Sequence, residues 1–228
     1  MAMLDGEPTT QTLLNVAGAM GRSEHQPFVP QLVKLLTHAD AQVRSTAALE
    51  LTRLAVEEAF PHNVRLLNDR QPMVRRAAIQ NLARVSDERA IAAIEQLLTD
   101  QDASVRERAV WALGQMQSPS VADAVAKRLC DDNHQVRGQA ARVLGQLRAT
   151  QHANSVAALL TDSDVVVRRY AAQALALMGD ARYIENLQLL LNDADEQVRK
   201  YAAEAIRQLR DVRNADNPLQ TLPVAENP

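Results

Sequence analysis

Arginine recurs at one fixed position along this 228-residue chain, each time directly after a valine. The six members of this arginine column follow each other at steps of 31 residues and are Arg44, Arg75, Arg106, Arg137, Arg168 and Arg199. A guanidinium carries a permanent charge and five N–H donors, so such a column can either pair with carboxylates or hold a polyanion. Small and aliphatic residues follow at helical spacing, which places each arginine on a packed side where a cation needs a partner.

A carboxylate stands six positions before each arginine of the column except the first, in the turn that opens the helix. These residues are Asp69, Asp100, Asp131, Asp162 and Asp193, and His38 takes the place before Arg44. Because one carboxylate for each arginine cancels the field of the column, we predict a structural ladder of ion pairs rather than a grip on a polyanion. Breaking one buried pair strands a charge, at a cost of roughly 3–5 kcal/mol.

Side chains that could catalyse a reaction show no arrangement that known chemistry requires. The five histidines share no metal-ligand spacing; they are His25, His38, His62, His134 and His152. Cys130 stands where the other copies have Thr or Asn, with no identifiable base beside it, and no phosphate-binding glycine loop occurs. We therefore predict a non-enzymatic protein with no catalytic residue, no cofactor and no metal.

The bulk composition narrows the class of protein. Hydrophobic residues make up 46% and aromatic residues 3%, which favours closely packed helices over a β-sandwich. The net charge of −3 gives no global attraction to nucleic acid or to an anionic membrane. No apolar run approaches the roughly 20 residues that span a bilayer. The lone cysteine and an N-terminus without signal-peptide features predict a cytoplasmic protein.

The arginines belong to a 31-residue repeat with three further columns. Alanine lies four residues after each valine, from Ala47 to Ala202, and leucine or isoleucine lies eight after it, from Leu51 to Ile206. Leucine also lies seven residues before each valine, from Leu36 to Leu191. Each copy therefore predicts two helices joined by a polar turn. The predicted N-caps of the second helices are Asp102, Asn133, Asp164 and Asp195.

The limits of the array follow from where the columns stop. The segment VAGAMG at 16–21 aligns with AVWALG at 109–114, so a half repeat with only a second helix begins near residue 9. The segment after Arg210 leaves the pattern and contains two internal prolines, which predicts an extended tail. We predict an N-terminal extension at 1–8, a single solenoid at 9–210 and a C-terminal tail at 211–228.

The segments VRERAVWALG at 105–114 and VRGQAARVLG at 136–145 resemble the bacterial HEAT-like repeat, of the type found in phycobilisome bilin lyases. The resemblance covers about residues 9–210. It implies an all-α fold: a right-handed α-solenoid of the armadillo/HEAT-like type, with six helix pairs and the N-terminal half repeat. It also implies that second helices line the concave side and that an Asp–Arg ladder runs between stacked repeats. Such arrays serve unrelated partners, so the resemblance says little about function.

Function is expected where the repeat fails, on the side of the second helices opposite the alanine and leucine columns. This variable stripe carries the only tryptophan, two of the three tyrosines and more basic than acidic side chains, as interfaces do. The residues predicted to bind a partner are Met73, Arg76, Gln80, Arg108, Trp111, Gln115, Gln139, Arg142, Val166, Arg169, Tyr170 and Tyr201. In the alternative interpretation, Trp111 packs against the neighbouring helix and the arginines are solvated.

The pattern thus predicts a scaffold that binds a protein or peptide with acidic groups and an apolar anchor, and no membrane. Two other functions stay open. The shared repeat is compatible with a bilin-lyase-like chromophore chaperone or subunit, by family analogy alone. The basic stripe is compatible with nucleic-acid binding, which the low net charge opposes.

Overall fold

The computed structural model describes residues 9–22, 28–85 and 87–216, and every regular element in these ranges is helical. The predicted extension at 1–8, His25 and residues 217–228 lie outside the described residues. The α-helices in the described ranges are α1 (Thr10–Arg22), α2 (Val29–Leu35), α3 (Ala41–Leu54), α4 (Val56–Leu66), α5 (Pro72–Val85), α6 (Ile91–Gln96), α7 (Ala103–Gln115), α8 (Ala122–Ala126), α9 (His134–Gln146), α10 (Ala153–Ala158), α11 (Val165–Met178), α12 (Ile184–Leu189) and α13 (Glu196–Asp216). No helix in these ranges is long and apolar enough to cross a membrane.

Contacts between residues divide the chain into two compact units, one up to Met116 and the other from Gln117. In the first unit α1 packs on α3, α3 on α5 and α5 on α7; in the second, α9 packs on α11 and α11 on α13. Each second helix also packs on the shorter helix before it, from α2 with α3 to α12 with α13. Six helix pairs and the half repeat α1 confirm the predicted all-α repeat fold. The single domain at 9–210 stays a prediction.

The second helices begin at side-chain caps. Asp102 caps α7, Asn133 caps α9 and Asp164 caps α11, each accepting hydrogen bonds from two backbone N–H groups of the first turn. Asp195 accepts from two such groups of α13. The four predicted N-caps are therefore confirmed. A cap of this kind stabilises its helix by about 1 kcal/mol.

The repeat columns form the packed interior of both units. The valines of all six copies and the alanines four residues later are fully buried. The leucines eight residues after the valines, from Leu51 to Leu175, are at most 1% exposed, and Ile206 is 5% exposed. Alanine removes side-chain bulk between neighbouring second helices, so those helices can approach closely.

The first helices of the later pairs are short and end in 3-10 turns. Helix α6 is followed by such a turn at Leu97–Thr99, and the same occurs after α8, α10 and α12. The leucine column at this end of the first helix is buried in five copies, at Leu36, Leu67, Leu98, Leu129 and Leu160. Leu191, the sixth member of the column, is 40% exposed. It belongs to the last copy, and the described residues hold no further repeat to cover it.

In the second unit, one close contact between second helices requires glycine, and the last helix is longer than predicted. A Cβ added at Gly145 would lie 2.6 Å from the Cα of Ala174, so the backbones of α9 and α11 touch there and only glycine fits. Helix α13 continues to Asp216 and so includes the first six residues, 211–216, of the predicted tail. The prediction of an extended tail is therefore wrong for residues 211–216; it rested on Pro218 and Pro223, which come later in the sequence.

Candidate interaction surfaces on the second helices

Arg137 shows how the arginine column is held. Its Nε and Nη2 donate to Oδ2 and Oδ1 of Asp162 at 2.8 and 2.9 Å, a bidentate ion pair of largely buried side chains. Its Nη1 donates to the backbone carbonyls of Asp131 and Asp132, in the turn that opens its own helix. The guanidinium therefore ties the turn of its own repeat to a carboxylate of the next repeat.

The same bonds recur along both units. Arg44 pairs with Asp69, Arg75 with Asp100 and Arg168 with Asp193, with Nε–Oδ2 distances of 2.8, 2.7 and 2.8 Å. Each of these carboxylates comes 25 positions after its arginine, in the following repeat.

The carboxylate partner differs from the one expected from the sequence. The residue six positions before each arginine contributes its backbone carbonyl, as Asp69 does to Arg75 and His38 does to Arg44. Because a carbonyl is present in every residue, His38 can stand where the other copies have aspartate.

Two members of the column lie at the ends of the units. Arg106 donates to the carbonyls of Asp100 and Gln101 in the turn of its own repeat. Arg199 donates to the carbonyls of Asp193 and Ala194 and forms no ion pair in the described part of the chain. The position 25 residues after Arg199 is Val224, so the sequence supplies no aspartate there.

Three carboxyls of the ladder, those of Asp69, Asp162 and Asp193, have pKa values below the ordinary one. Burial raises the pKa of Asp162, but hydrogen bonds from Arg137 and from the backbone N–H of Asp164 outweigh it and leave the pKa below its ordinary value. The pKa of Asp69 is lowered in the same way, through Arg44 and the backbone N–H of Gln71. For Asp193 the hydrogen bond from Arg168 is the largest cause, and it lowers the pKa.

In the first unit the predicted stripe runs along α5 and α7. Arg108 lies over the ring of Trp111, with its Cζ 5.0 Å from the ring centroid. Such cation–π contacts are attractive because the ring face is electronegative. All six predicted residues of this unit are at least partly exposed: Met73, Arg76, Gln80, Arg108, Trp111 and Gln115. The largest side chain of the stripe is therefore reachable from solvent, with an arginine stacked on it.

In the second unit arginines and tyrosines alternate on the stripe. The Cζ atoms of Arg142 and Arg169 lie 5.9 and 5.4 Å from the ring centroid of Tyr170. Arg169 also lies 5.6 Å from the ring of Tyr201, which is 37% exposed. A Cβ added at Gly138 would be 3.2 Å from the ring of Tyr170, so the bare backbone of α9 makes room for that ring.

The other two predicted residues of the second unit differ from each other. Val166, in the first turn of α11, is 39% exposed. Gln139 is only 7% exposed, and its Nε2 is buried without a hydrogen-bond partner. Gln139 is therefore not presented to a partner in this structure, contrary to the expectation. Spacing along one helix assigns a face, but it carries no information about what covers that face.

Most arginines of the variable stripe lack an acidic partner. Five of them form no ion pair within the described ranges: Arg76, Arg84, Arg108, Arg142 and Arg169. The Nε atoms of Arg76 and Arg142 are also buried without a hydrogen-bond partner. By contrast, Lys200 pairs with Glu196 at 2.7 Å. Each unit thus exposes positive charge that its own described side chains do not neutralise.

The first unit also has a cleft between α3 and α5 that was not predicted from the sequence. Of the residues that line it, only Gln80 was predicted to bind a partner. One cavity of about 420 Å³ is lined by Leu49, Thr52, Arg53, Val56, Arg84 and Val85. A second, of about 350 Å³, shares Leu49, Arg53 and Arg84 with the first. The sequence did contain a signal for it, because both arginines stand ten residues after the valine of consecutive copies.

Among the described residues, the groups with catalytic potential form at most pairs. Among the described side chains no cluster of three or more His, Cys, Asp or Glu could hold a metal ion. His152 Nε2 lies 2.8 Å from Oδ1 of Asp123, and His134 Nε2 lies 3.9 Å from Oδ2 of Asp164. Cys130 is exposed.

Paired helices, buried columns and an inter-repeat ladder define a repeat protein of the HEAT and armadillo class. The family model described as HEAT repeats matches residues 29–102, 61–145, 91–166, 125–207 and 154–222, well over half of the chain. The chain belongs to the HEAT repeat family. A sequence search of curated proteins finds no match.

Solved structures agree on the fold. An engineered protein is 24% identical with a TM-score of 0.60, covering 81% of this chain and 97% of its own. A designed armadillo repeat protein in complex with the peptide (KR)4 is 20% identical with a TM-score of 0.60, covering 79% and 99%. The complex of CpcE and CpcF of phycocyanin lyase from Nostoc sp. is 21% identical with a TM-score of 0.50, covering 96% and 97%. At these identities the likeness shows the fold alone.

Proposed function

We propose that the protein is a non-enzymatic scaffold that binds a protein or peptide partner on the variable stripe of its second helices. The observation that carries the proposal is the stripe of the second unit. There Arg142 and Arg169 lie against the rings of Tyr170 and Tyr201 and have no acidic partner among the residues that the structure describes. Arginine and tyrosine are enriched among the residues that contribute most to interface affinity. A row of both, partly exposed, favours binding over mere solvation.

The charge of the stripe favours a partner with acidic groups. The Arg–Tyr contacts hold each guanidinium in place, so less side-chain entropy is lost when a carboxylate binds. The designed armadillo protein with a similar fold holds a basic peptide, according to its description. The unpaired arginines on this chain favour the opposite sign. The aromatic rings between them supply the apolar anchor of the interface.

Capture of partners by the immobilised protein, followed by mass spectrometry, tests the proposal when three forms are compared. These are the unmodified protein, the double variant Tyr170→Ala/Tyr201→Ala, and the control Gln188→Ala, whose exposed side chain lies on the first helix α12. A partner retained by the first and third forms and lost by the double variant, with equal melting temperatures, is expected. Retention by all three forms would contradict the proposal. A coloured bilin adduct, or salt-sensitive retention of DNA, would support one of the other two functions instead.

A further inference from the structure

The cleft between α3 and α5 combines an apolar wall with two arginines. Leu49, Val56 and Val85 line the larger cavity, of about 420 Å³. Arg53 and Arg84 line both this cavity and the adjoining one of about 350 Å³, so they stand where the two cavities meet. Pockets of this size hold small ligands or single side chains of a partner, and a few polar groups on apolar walls fix their orientation.

Both arginines have unused donors. Arg84 is exposed and makes no hydrogen bond or ion pair in the described ranges. Arg53 is 51% exposed and engages only Nη1, at 3.3 Å from each carboxylate oxygen of Glu50. Charge-assisted bonds are usually about 2.7–2.9 Å long, so this contact is weak. Two guanidiniums against one buried carboxylate leave the cleft positive, which favours an anionic group at the junction of the cavities.

The smaller cavity adds hydrogen-bonding groups beyond the arginines. Ser45, Thr46 and Gln80 line it, and their hydroxyl and amide groups can bond to the main chain of an extended peptide. The apolar residues of the larger cavity, the two shared arginines and the polar residues of the smaller cavity thus adjoin one another in one cleft. This combination matches a peptide rather than an isolated anion, because an anion alone would leave the apolar wall exposed.

We propose that this cleft binds a segment of a partner protein in which an acidic residue adjoins a branched aliphatic residue. The aliphatic side chain packs on Leu49, Val56 and Val85, and the carboxylate lies between Arg53 and Arg84. The proposal rests on the proposed binding function and assigns one part of the partner to one place on the first unit.

Methyl NMR of the full chain tests this proposal with three acetylated, amidated tripeptides. The probe is Leu-Glu-Leu; Leu-Gln-Leu lacks the charge, and Ala-Glu-Ala lacks the aliphatic side chains. We expect Leu-Glu-Leu to shift the methyl signals of Leu49, Val56 and Val85 and to bind at least fivefold tighter than either control peptide. Equal binding of Leu-Gln-Leu, or no shift of these methyls with any peptide, would overturn the proposal.

Variants separate the cleft from general attraction to a basic surface. Arg84→Gln and Arg53→Gln should each weaken Leu-Glu-Leu at least fivefold. The melting temperature should stay unchanged in Arg84→Gln, whose side chain is exposed and unpaired among the described residues. Arg53→Gln should lower it, because the buried carboxylate of Glu50 loses its ion pair. The matched control Arg65→Gln, an exposed arginine of α4, should leave affinity unchanged. Equal losses in all three variants would show long-range attraction and contradict a defined site.

Other occupants of the cleft have distinct outcomes. If deletion of residues 217–228 raises the affinity for the peptide tenfold, the chain's own terminal segment fills the cleft and the assignment to a partner is wrong. If sedimentation shows a dimer that the peptide dissociates, the occupant is a second copy and the assignment is wrong as well. Tripeptide binding does not depend on Tyr170 or Tyr201, so failure here is distinguishable from failure of the capture experiment on the second unit.

Discussion

Arg137 and Asp162 are 25 positions apart in the chain, yet two hydrogen bonds of 2.8 and 2.9 Å join their side chains across consecutive repeats. The same arginine also bonds to the carbonyls of its own turn. Each ion pair therefore joins two turns and two repeats at once. Solenoids gain their stability from nearest-neighbour contacts, and this ion pair is one such contact between neighbouring repeats.

Replacing Arg137 by alanine should destabilise the protein much more than replacing Arg142. The first change leaves Asp162 largely buried without its cation, at a cost of about 3 kcal/mol, the lower end of the range for buried pairs. Arg142 forms no ion pair among the described residues, so its loss should cost less than about 1 kcal/mol. Thermal and denaturant melts of both variants measure the difference. Equal melting temperatures would rule out a structural role for the arginine column.

Acid should weaken the ladder. Asp162 and Asp193 have pKa values below the ordinary value in the folded protein, so they contribute stability at pH values above the unfolded pKa of about 3.9. That contribution is lost as the pH falls below this value and through the folded pKa. The free energy of unfolding, measured by urea melts from about pH 7 down to about pH 2, should drop in this range.

Arg168→Gln is the control for the acid prediction. The hydrogen bond from Arg168 is the largest cause of the lowered pKa of Asp193, so its removal should reduce the slope of stability against pH below about pH 4. An unchanged slope would mean that the acid sensitivity arises from other carboxyls.

Gly145→Ala should destabilise the second unit by about 1–3 kcal/mol. The added Cβ would meet the backbone of Ala174 at 2.6 Å, and a backbone atom cannot rotate away. Gly138→Ala is the matched control on the same helix, because its Cβ would meet the ring of Tyr170 at 3.2 Å, and a partly exposed ring can shift. Calorimetry should place the melting temperature of Gly138→Ala above that of Gly145→Ala; the reverse order would contradict the close approach of α9 and α11.

Trp111→Ala should weaken partner binding by at least about 2 kcal/mol, the usual threshold for a dominant interface residue. It should cost less folding stability than Leu113→Ala, since Leu113 is fully buried and such truncations cost roughly 2–5 kcal/mol. Titration of the captured partner against both variants, with melts alongside, separates the two effects. Unchanged binding per folded molecule would place the interface elsewhere.

Hydrogen exchange should be fastest in α1 and in α13 beyond Arg210. In the part of the chain that the structure describes, no first helix precedes α1, and the residues from Asp211 to Asn214 are exposed. Repeats contact mainly their neighbours, so terminal elements open with the least loss of contact. Exchange followed by mass spectrometry should show the slowest peptides between about residues 94 and 175. Uniform protection would contradict a nearest-neighbour array.

The fold could be predicted from the sequence because residues that recur at one position in six copies occupy equivalent places in the structure. Val136 and Ala140, for example, are buried because they lie on the packed face of their helix, as the valine and alanine columns predicted. The sequence did not predict that each paired arginine binds the aspartate 25 residues after it. An aspartate six residues before Arg137 and another 25 after it belong to the same column, and only packing decides which carboxylate meets the guanidinium.

The variable stripe was harder to predict. Trp111 and Tyr170 lie at positions that helical spacing marks as outward, and both are partly exposed with arginines on their rings. Gln139 has the same spacing and is buried. The cleft at Arg53 and Arg84 depends on the distance between two helices, which no pattern along a single helix contains.

The ladder allows whole repeats to be added or removed without loss of the Arg–Asp pairing between neighbours. In the four ladder pairs that begin at Arg44, Arg75, Arg137 and Arg168, the aspartate comes 25 residues after its arginine, while the period of the repeat is 31 residues. Duplicating or deleting one whole period inside a unit would leave each arginine with a carboxylate at the right offset. Inserting a single residue between Arg137 and Asp162 would break that register. Recombination within the gene can therefore add or remove whole 31-residue repeats, and the encoded protein can still fold. Each such change adds or removes the variable-stripe residues of one second helix.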